Sequence, residues 1–155
     1  MRRTAVSLVA AAGILMAGTA GAAEDADKAE KMVKYRNSVF TVMAHNIHPL
    51  GAMLKGEMPY DPRTFAEKAD RIAAVAPMAL EGFGMKATAD VKGTAAKAKI
   101  WDNMGDFKKK MRAMQKAAGA LAAVEPGDSP ASVKKATKAL ADTCEDCHDE
   151  YKKED

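Results

Sequence analysis

The segment "SVKKATKALADTCEDCHDEY", residues 132–151, predicts a helix, because its apolar and small residues recur every three or four positions. Such spacing is typical of an amphipathic helix that buries one face. It also places Cys144 and Cys147 on the inward face, with His148 close beside them. The inward face consists of Val133, Thr137, Leu140, Cys144, Cys147 and Tyr151.

Three earlier segments repeat this pattern. Their inward positions are Arg36, Phe40, Met43, Ile47, Leu50 and Leu54 in the first, Phe65, Ala69, Ile72, Ala76 and Ala79 in the second, and Ile100, Met104, Phe107, Met111, Met114, Ala118 and Leu121 in the third. Asp61-Pro62 and Ser129-Pro130 each place a capping residue before a proline at the first helical position. Short connections and one longer one, "EGFGMKATADVKG" (81–93), predict an all-α, antiparallel up-down-up-down four-helix bundle.

Residues 1–23 have the pattern of a cleaved secretory signal peptide. Met1-Arg2-Arg3 precedes a charge-free, Ala-rich run, and Ala20-Gly21-Ala22 fits the small-residue cleavage pattern. An uncleaved membrane anchor is the alternative, but Gly and Ala dominate a run that would need about 20 strongly apolar residues. We expect cleavage near Ala22 or Ala23, a periplasmic location, no membrane span in the mature protein, and one domain at residues 24–155.

The mature chain is close to electrical neutrality. Removal of the two arginines in the signal peptide lowers the formal charge from +3 to +1. No basic stripe is interleaved with aromatic residues, so nucleic acid is not an expected partner.

The two cysteines admit three chemistries: thiol–disulfide exchange, zinc binding and covalent haem attachment. A thioredoxin-like pair needs a strand–helix context, which the helical pattern does not supply. A closed zinc site needs four ligands, and the remaining histidines, His45 and His48, lie on another helix, where we expect them at the surface. C-x-x-C-H is the attachment motif for haem c, with Cys144 and Cys147 as thioether donors and His148 as the axial iron ligand.

Two other features of the stripes suit a haem pocket. Arg36 is a charge on an inward position, where it requires an anionic partner, and a haem propionate would provide one. The alternative is an arginine that reaches solvent near the helix start. The methionines at 43, 104, 111 and 114 are suited to core packing, and they would also give an adaptable lining for a flat ligand.

The chain resembles the class II c-type cytochromes, specifically the cytochrome c′ family. The resemblance covers nearly all of residues 24–155 and rests on "KYRNSVFTVM" (34–43), "KGEMPYD" (55–61), "IWDNMGDFKKKM" (100–111) and "CEDCHDEYKK" (144–153). It implies a left-handed four-helix bundle, a homodimer, one covalent haem c and five-coordinate, high-spin iron. It also implies an axial His148, a propionate contact for Arg36, a distal position over the iron for Phe40, and a place for Lys152 near the proximal face.

The low-spin cytochromes c-556 are similar in fold but carry a methionine ligand where this chain has Phe40. Phenylalanine cannot bind iron, so the resemblance favours cytochrome c′, with Met43 as the residue that could still supply a sixth ligand. We therefore expect a protein that binds small gases, chiefly nitric oxide. The alternative is a periplasmic electron carrier of the c-556 type with an unidentified redox partner protein. Phe40, Met43 and Ile47 offer no acid or base, so no enzymatic role is predicted.

Overall fold

The computed structural model describes residues 17–125 and 127–154, and it is helical through most of them. The first 16 residues of the predicted signal peptide lie outside this part. The helices are α1 (Ala17–Lys55), α2 (Pro62–Val75), the single turn α3 (Lys99–Asp102), α4 (Met104–Ala122) and α5 (Pro130–Tyr151), with 3₁₀ helices at Ala76–Phe83 and Lys86–Ala89. The predicted all-α class is confirmed. None of the described helices is long and apolar enough to span a membrane.

The predicted helix ends occur at the predicted residues. Asp61 caps α2 by accepting a hydrogen bond of 2.7 Å from the Thr64 N–H, and Ser129 caps α5 through the Ser132 N–H at 3.2 Å. Each such cap contributes on the order of 1 kcal/mol. At the other end of α1, Gly56 adopts a φ of 75°, the left-handed conformation that ends helices and that glycine adopts without strain.

The long helices pack in sequence order, α1 on α2, α2 on α4 and α4 on α5. The connections from α1 to α2 and from α4 to α5 are short, and the one from α2 to α4 is longer. This is the antiparallel four-helix bundle that the periodicity predicts. The largest fully buried side chains come from all four long helices and include Leu50, Phe65, Ile72, Phe107, Leu121 and Leu140. Of the neighbouring pairs of long helices, α1 and α5 pack least closely, and a cavity lies between them.

The third predicted helix is interrupted, and the connection before it is more ordered than expected. Asn103 breaks the helix with φ −124° and ψ 37°, and its side-chain amide donates to the Lys99 carbonyl at 3.1 Å. Asparagine favours such breaks because its side chain competes for backbone partners. The predicted connection 81–93 contains 3₁₀ turns that run over α1. After it, Ala96 pairs with Lys152 as an isolated antiparallel bridge.

Candidate functional site

The cavity has a volume of about 480 Å³ and is bounded by α1, α4 and α5. Its walls are mostly apolar and include Phe40, Met43 and Ile47 from α1 with Phe107, Met111 and Met114 from α4. A volume of this size is in the range of pockets that hold organic ligands. The methionine stripe on α1 and α4 therefore contributes to both the core and the cavity lining, apart from Met104, which packs on the core.

The α5 wall carries the haem motif. Cys144, Cys147 and His148 all line the cavity, because residues three and four apart share one face of a helix. Both cysteines are half-buried free thiols. Burial raises the pKa of Cys144, and it raises the pKa of Cys147 to about 11. Burial lowers the pKa of His148, and the nearby Lys152 ammonium lowers it further, which favours the neutral imidazole that a metal requires.

Arg36 is buried to 3% exposure at the edge of the cavity. Its guanidinium donates to the Gly82 carbonyl at 3.2 Å and to the Oγ1 atoms of Thr88 at 3.3 Å and Thr94 at 2.5 Å. It also lies over the Phe83 ring, 4.7 Å from its centroid. Desolvation by burial lowers the pKa of Arg36.

The surroundings of Arg36 are neutral. None of the ion pairs within the described residues involves its guanidinium. A buried charge of this kind is costly unless an anion compensates it. The predicted inward position is confirmed, and a guanidinium with five donors keeps capacity for an acid group at the cavity.

The remaining predicted residues also line the cavity. Phe40 is half-buried and meets Phe83 edge-on, with ring centroids 6.3 Å apart. Met43 is 7% exposed on the same wall, so both candidates for the position over the iron face the cavity. Lys152 reaches it from just beyond α5, and its backbone N–H donates to the His148 carbonyl at 2.9 Å.

Sequence reasoning missed several residues at this site. His48, expected at the surface with His45, is exposed but also lines the cavity. Lys110 belongs to a lysine run that suggests a solvated face, yet its side chain is 19% exposed and pairs with Asp146 at 2.6 Å. Thr88 and Thr94 lie in a connection without periodicity, so no signal in the sequence identifies them as partners of Arg36.

The donor set indicates what the cavity can hold. Two thiols and an imidazole share one wall, apolar side chains form the others, and an uncompensated guanidinium stands at one edge. This combination fits a large, flat, apolar group with an acidic edge, as haem is. Across residues 17–125 and 127–154, no group of three or more His, Cys, Asp or Glu side chains could hold a metal ion by itself. The zinc alternative therefore finds no site there.

Comparisons with known proteins agree with this interpretation. The family described as cytochrome C′ matches residues 31–152. A cytochrome c′ from Cereibacter sphaeroides is 38% identical over 143 residues, which are 89% of this chain and 93% of the relative. The solved cytochrome c prime from Shewanella frigidimarina is 38% identical, with a TM-score of 0.77 over 81% of this chain and 97% of that one.

A third comparison concerns a structure with a gas bound. It is the ferrous form of a variant of cytochrome c prime from Alcaligenes xylosoxidans with bound nitric oxide. That protein is 28% identical, with a TM-score of 0.73, and the match covers 82% of this chain and 97% of that one.

Proposed function

The chain belongs to the cytochrome c′ family, and we propose that it is an exported protein whose iron keeps one coordination position open for nitric oxide. Members of this family carry covalently attached haem c, a cofactor that supplies reversible Fe(III)/Fe(II) chemistry and an iron that binds diatomic gases. Export to the periplasm is part of the proposal, and the signal-peptide pattern of residues 1–23 supports it.

The residues of α5 anchor the cofactor in this proposal. Cys144 and Cys147 form the two thioether bonds, and the neutral imidazole of His148 coordinates the iron. The side chains lie on one face of one helix, so a rigid element fixes their spacing. Arg36 pairs with a haem propionate, which compensates a charge that is otherwise buried among neutral groups. Lys152 lies on the His148 side of the cavity and influences access there.

The observation that carries the proposal is the chemistry of the α1 wall. Phe40, Met43 and Ile47 form its centre, and the polar Asn37 and His48 stand at its two ends along the helix. Phe40 can neither bind iron nor donate a hydrogen bond to a ligand. A tight apolar wall disfavours ligands that depend on hydrogen bonds, whereas nitric oxide binds ferrous haem strongly without them. The nitric oxide complex among the similar structures supports the same choice of ligand.

The test is the rate of gas binding to the ferrous holoprotein, followed by stopped-flow absorption. We expect nitric oxide to bind readily and carbon monoxide slowly. Phe40→Ala should accelerate carbon monoxide binding far more than Ile47→Ala, a matched truncation on the same wall. Equal effects of the two variants would show that Phe40 does not control the open position.

A six-coordinate electron carrier of the c-556 type is the competing function. The Met43 thioether lines the cavity one turn from Phe40, so it is the residue that would bind iron in that case. Met43→Leu conserves volume and removes the sulfur. If Met43 were an iron ligand, Met43→Leu would convert a low-spin spectrum of the wild-type protein to a high-spin one. We expect instead that the substitution leaves the spin state unchanged.

The assembly and the absence of catalysis are also proposals. Family resemblance favours a homodimer, and Val42, 45% exposed on the outer side of α1, is one apolar residue that a subunit contact would cover. Sedimentation of the holoprotein over a range of concentrations tests this, with Val42→Glu expected to favour the monomer. We propose no acid–base catalysis on a bound substrate, because the α1 wall has no acid or base at its centre; weak incidental redox turnover at the iron is compatible with this. The redox partner protein is unidentified.

A further inference from the structure

Tyr151 is a buried residue to which the proposed function assigns no role. It is 3% exposed and lines the cavity from the last turn of α5, one turn after His148. Its hydroxyl donates to Oδ2 of Asp106, in the first turn of α4, at 2.7 Å. The ring packs edge-on against Phe107, with centroids 5.3 Å apart. The ring and the hydroxyl of Tyr151 therefore each have a fixed partner.

The Tyr151–Asp106 pair connects a buried proton donor to an exposed acceptor. Burial, together with the Asp106 carboxylate, raises the pKa of Tyr151 to about 12, so the phenol keeps its proton at physiological pH. Asp106 is exposed to solvent. A proton that leaves Tyr151 therefore has an acceptor within hydrogen-bond distance, and from there it can reach water. Loss of an electron makes a phenol strongly acidic, and such a contact then lets electron and proton leave together.

The other oxidisable aromatic residues in the described part of the chain lack this combination. Trp101 donates its Nε1–H to the backbone carbonyl of Phe83 at 3.0 Å, and a carbonyl does not take up a proton. Tyr35 donates to the Glu81 carboxylate at 2.7 Å, but it is not among the residues that line the cavity. Tyr60 is exposed on the connection between α1 and α2.

We propose that Tyr151, with Asp106 as its proton acceptor, is a one-electron donor to the haem site when hydrogen peroxide oxidises it. Peroxide is reduced to water by two electrons from the haem site and two protons from solvent. Tyr151 returns one electron, and its phenolic proton passes to Oδ2 of Asp106. The products are a neutral phenoxyl radical, a protonated carboxyl group and a haem site short of one electron. This inference rests on the proposed haem and goes beyond gas binding.

As a consequence, oxidation of the haem site by peroxide ends in part at one defined side chain, Tyr151. The electron comes from a side chain on the helix that carries the haem motif, and the proton moves towards solvent on α4. The pair would thereby spare the cofactor and the methionines of the cavity from oxidation.

The experiment is freeze-quench electron paramagnetic resonance of the ferric holoprotein after addition of hydrogen peroxide. We expect a phenoxyl radical whose hyperfine pattern changes when the protein carries ring-deuterated tyrosine. Tyr151→Phe should lose this signal. Tyr35→Phe, which breaks a chemically matched tyrosine–carboxylate pair away from the cavity, should retain it. Trp101→Phe should also retain it.

Asp106→Asn separates proton transfer from helix packing. The amide can still accept a hydrogen bond from Tyr151 but cannot take up its proton, so the radical yield should fall although the tyrosine remains. Each variant is first shown to have wild-type haem absorption and helical circular dichroism. A tyrosine radical that persists in Tyr151→Phe with intact haem, or a full yield in Asp106→Asn, would overturn the proposal. Absence of haem absorption in the wild-type protein would instead refute the proposed function and, with it, this inference.

Discussion

Thr94→Val tests whether the hydrogen-bond acceptors around the buried Arg36 side chain stabilise the fold. The valine has nearly the same shape but lacks the Oγ1 atom that accepts from Arg36 Nη2 at 2.5 Å and from the Ala96 N–H at 3.3 Å. A hydrogen bond to a charged group contributes about 1.5–3 kcal/mol, and the neutral bond from the Ala96 N–H contributes about 0.5–1.5 kcal/mol more. Because Arg36 is 3% exposed, water cannot replace the lost acceptor.

The expected decrease in unfolding free energy is therefore about 2–4 kcal/mol. For a domain of this size it corresponds to a fall in Tm of roughly 8–16 °C. Urea denaturation of the holoprotein, followed by circular dichroism, measures it directly. Thr41→Val is the matched control, because Thr41 is exposed and bonds only the Asn37 carbonyl of its own helix. It should change stability by less than about 0.5 kcal/mol. Equal effects of the two substitutions would refute the argument that Thr94 secures a buried charge.

Three further predictions follow from the same contacts. Gly82→Ala should cost about 1–3 kcal/mol of unfolding free energy in urea titrations, because the new Cβ would lie 2.6 Å from Arg36 Cβ, whereas Gly119→Ala, in open space on α4, should cost nothing. The pKa of Tyr151 is raised from 10 to about 12 in the folded state. The stability that its protonated form contributes should therefore be fully present below pH 10 and lost as the pH rises towards 12. Unfolding curves at successive pH values should show this loss in the wild-type protein and not in Tyr151→Phe. Replacing both Cys144 and Cys147 with alanine should abolish haem staining on a denaturing gel, and staining of this double variant would contradict the thioether assignment. His148→Ala should keep the stain and change the absorption spectrum.

The helices and the α5 wall could be predicted from the sequence because both depend on local spacing. A period of 3.6 residues places Cys144, Cys147 and Tyr151 on one face whatever the rest of the chain does. Asp61 and Ser129 cap their helices through contacts three residues away, which are equally local. Such features depend on neighbours in the sequence, and tertiary packing did not change them.

Contacts between distant segments could not be predicted in this way. Arg36 and Thr94 are 58 residues apart, and Asp106 and Tyr151 are 45 apart. Their meeting depends on the relative placement of whole elements, which leaves no periodic trace in the sequence. The inward charge of Arg36 did indicate that a partner was needed, but it did not reveal which groups hold the guanidinium. The helix break at Asn103 was missed because the apolar period continues across it.

We propose that the iron has an open coordination position beneath an apolar wall that includes Phe40. Electron paramagnetic resonance of the ferric holoprotein at neutral pH, repeated on the ferrous protein after addition of nitric oxide, tests it most directly. We expect a high-spin, five-coordinate ferric signal and a nitrosyl signal from the ferrous protein. A low-spin, six-coordinate ferric signal with no nitrosyl signal after nitric oxide would contradict the open position and favour an electron carrier with a second protein ligand.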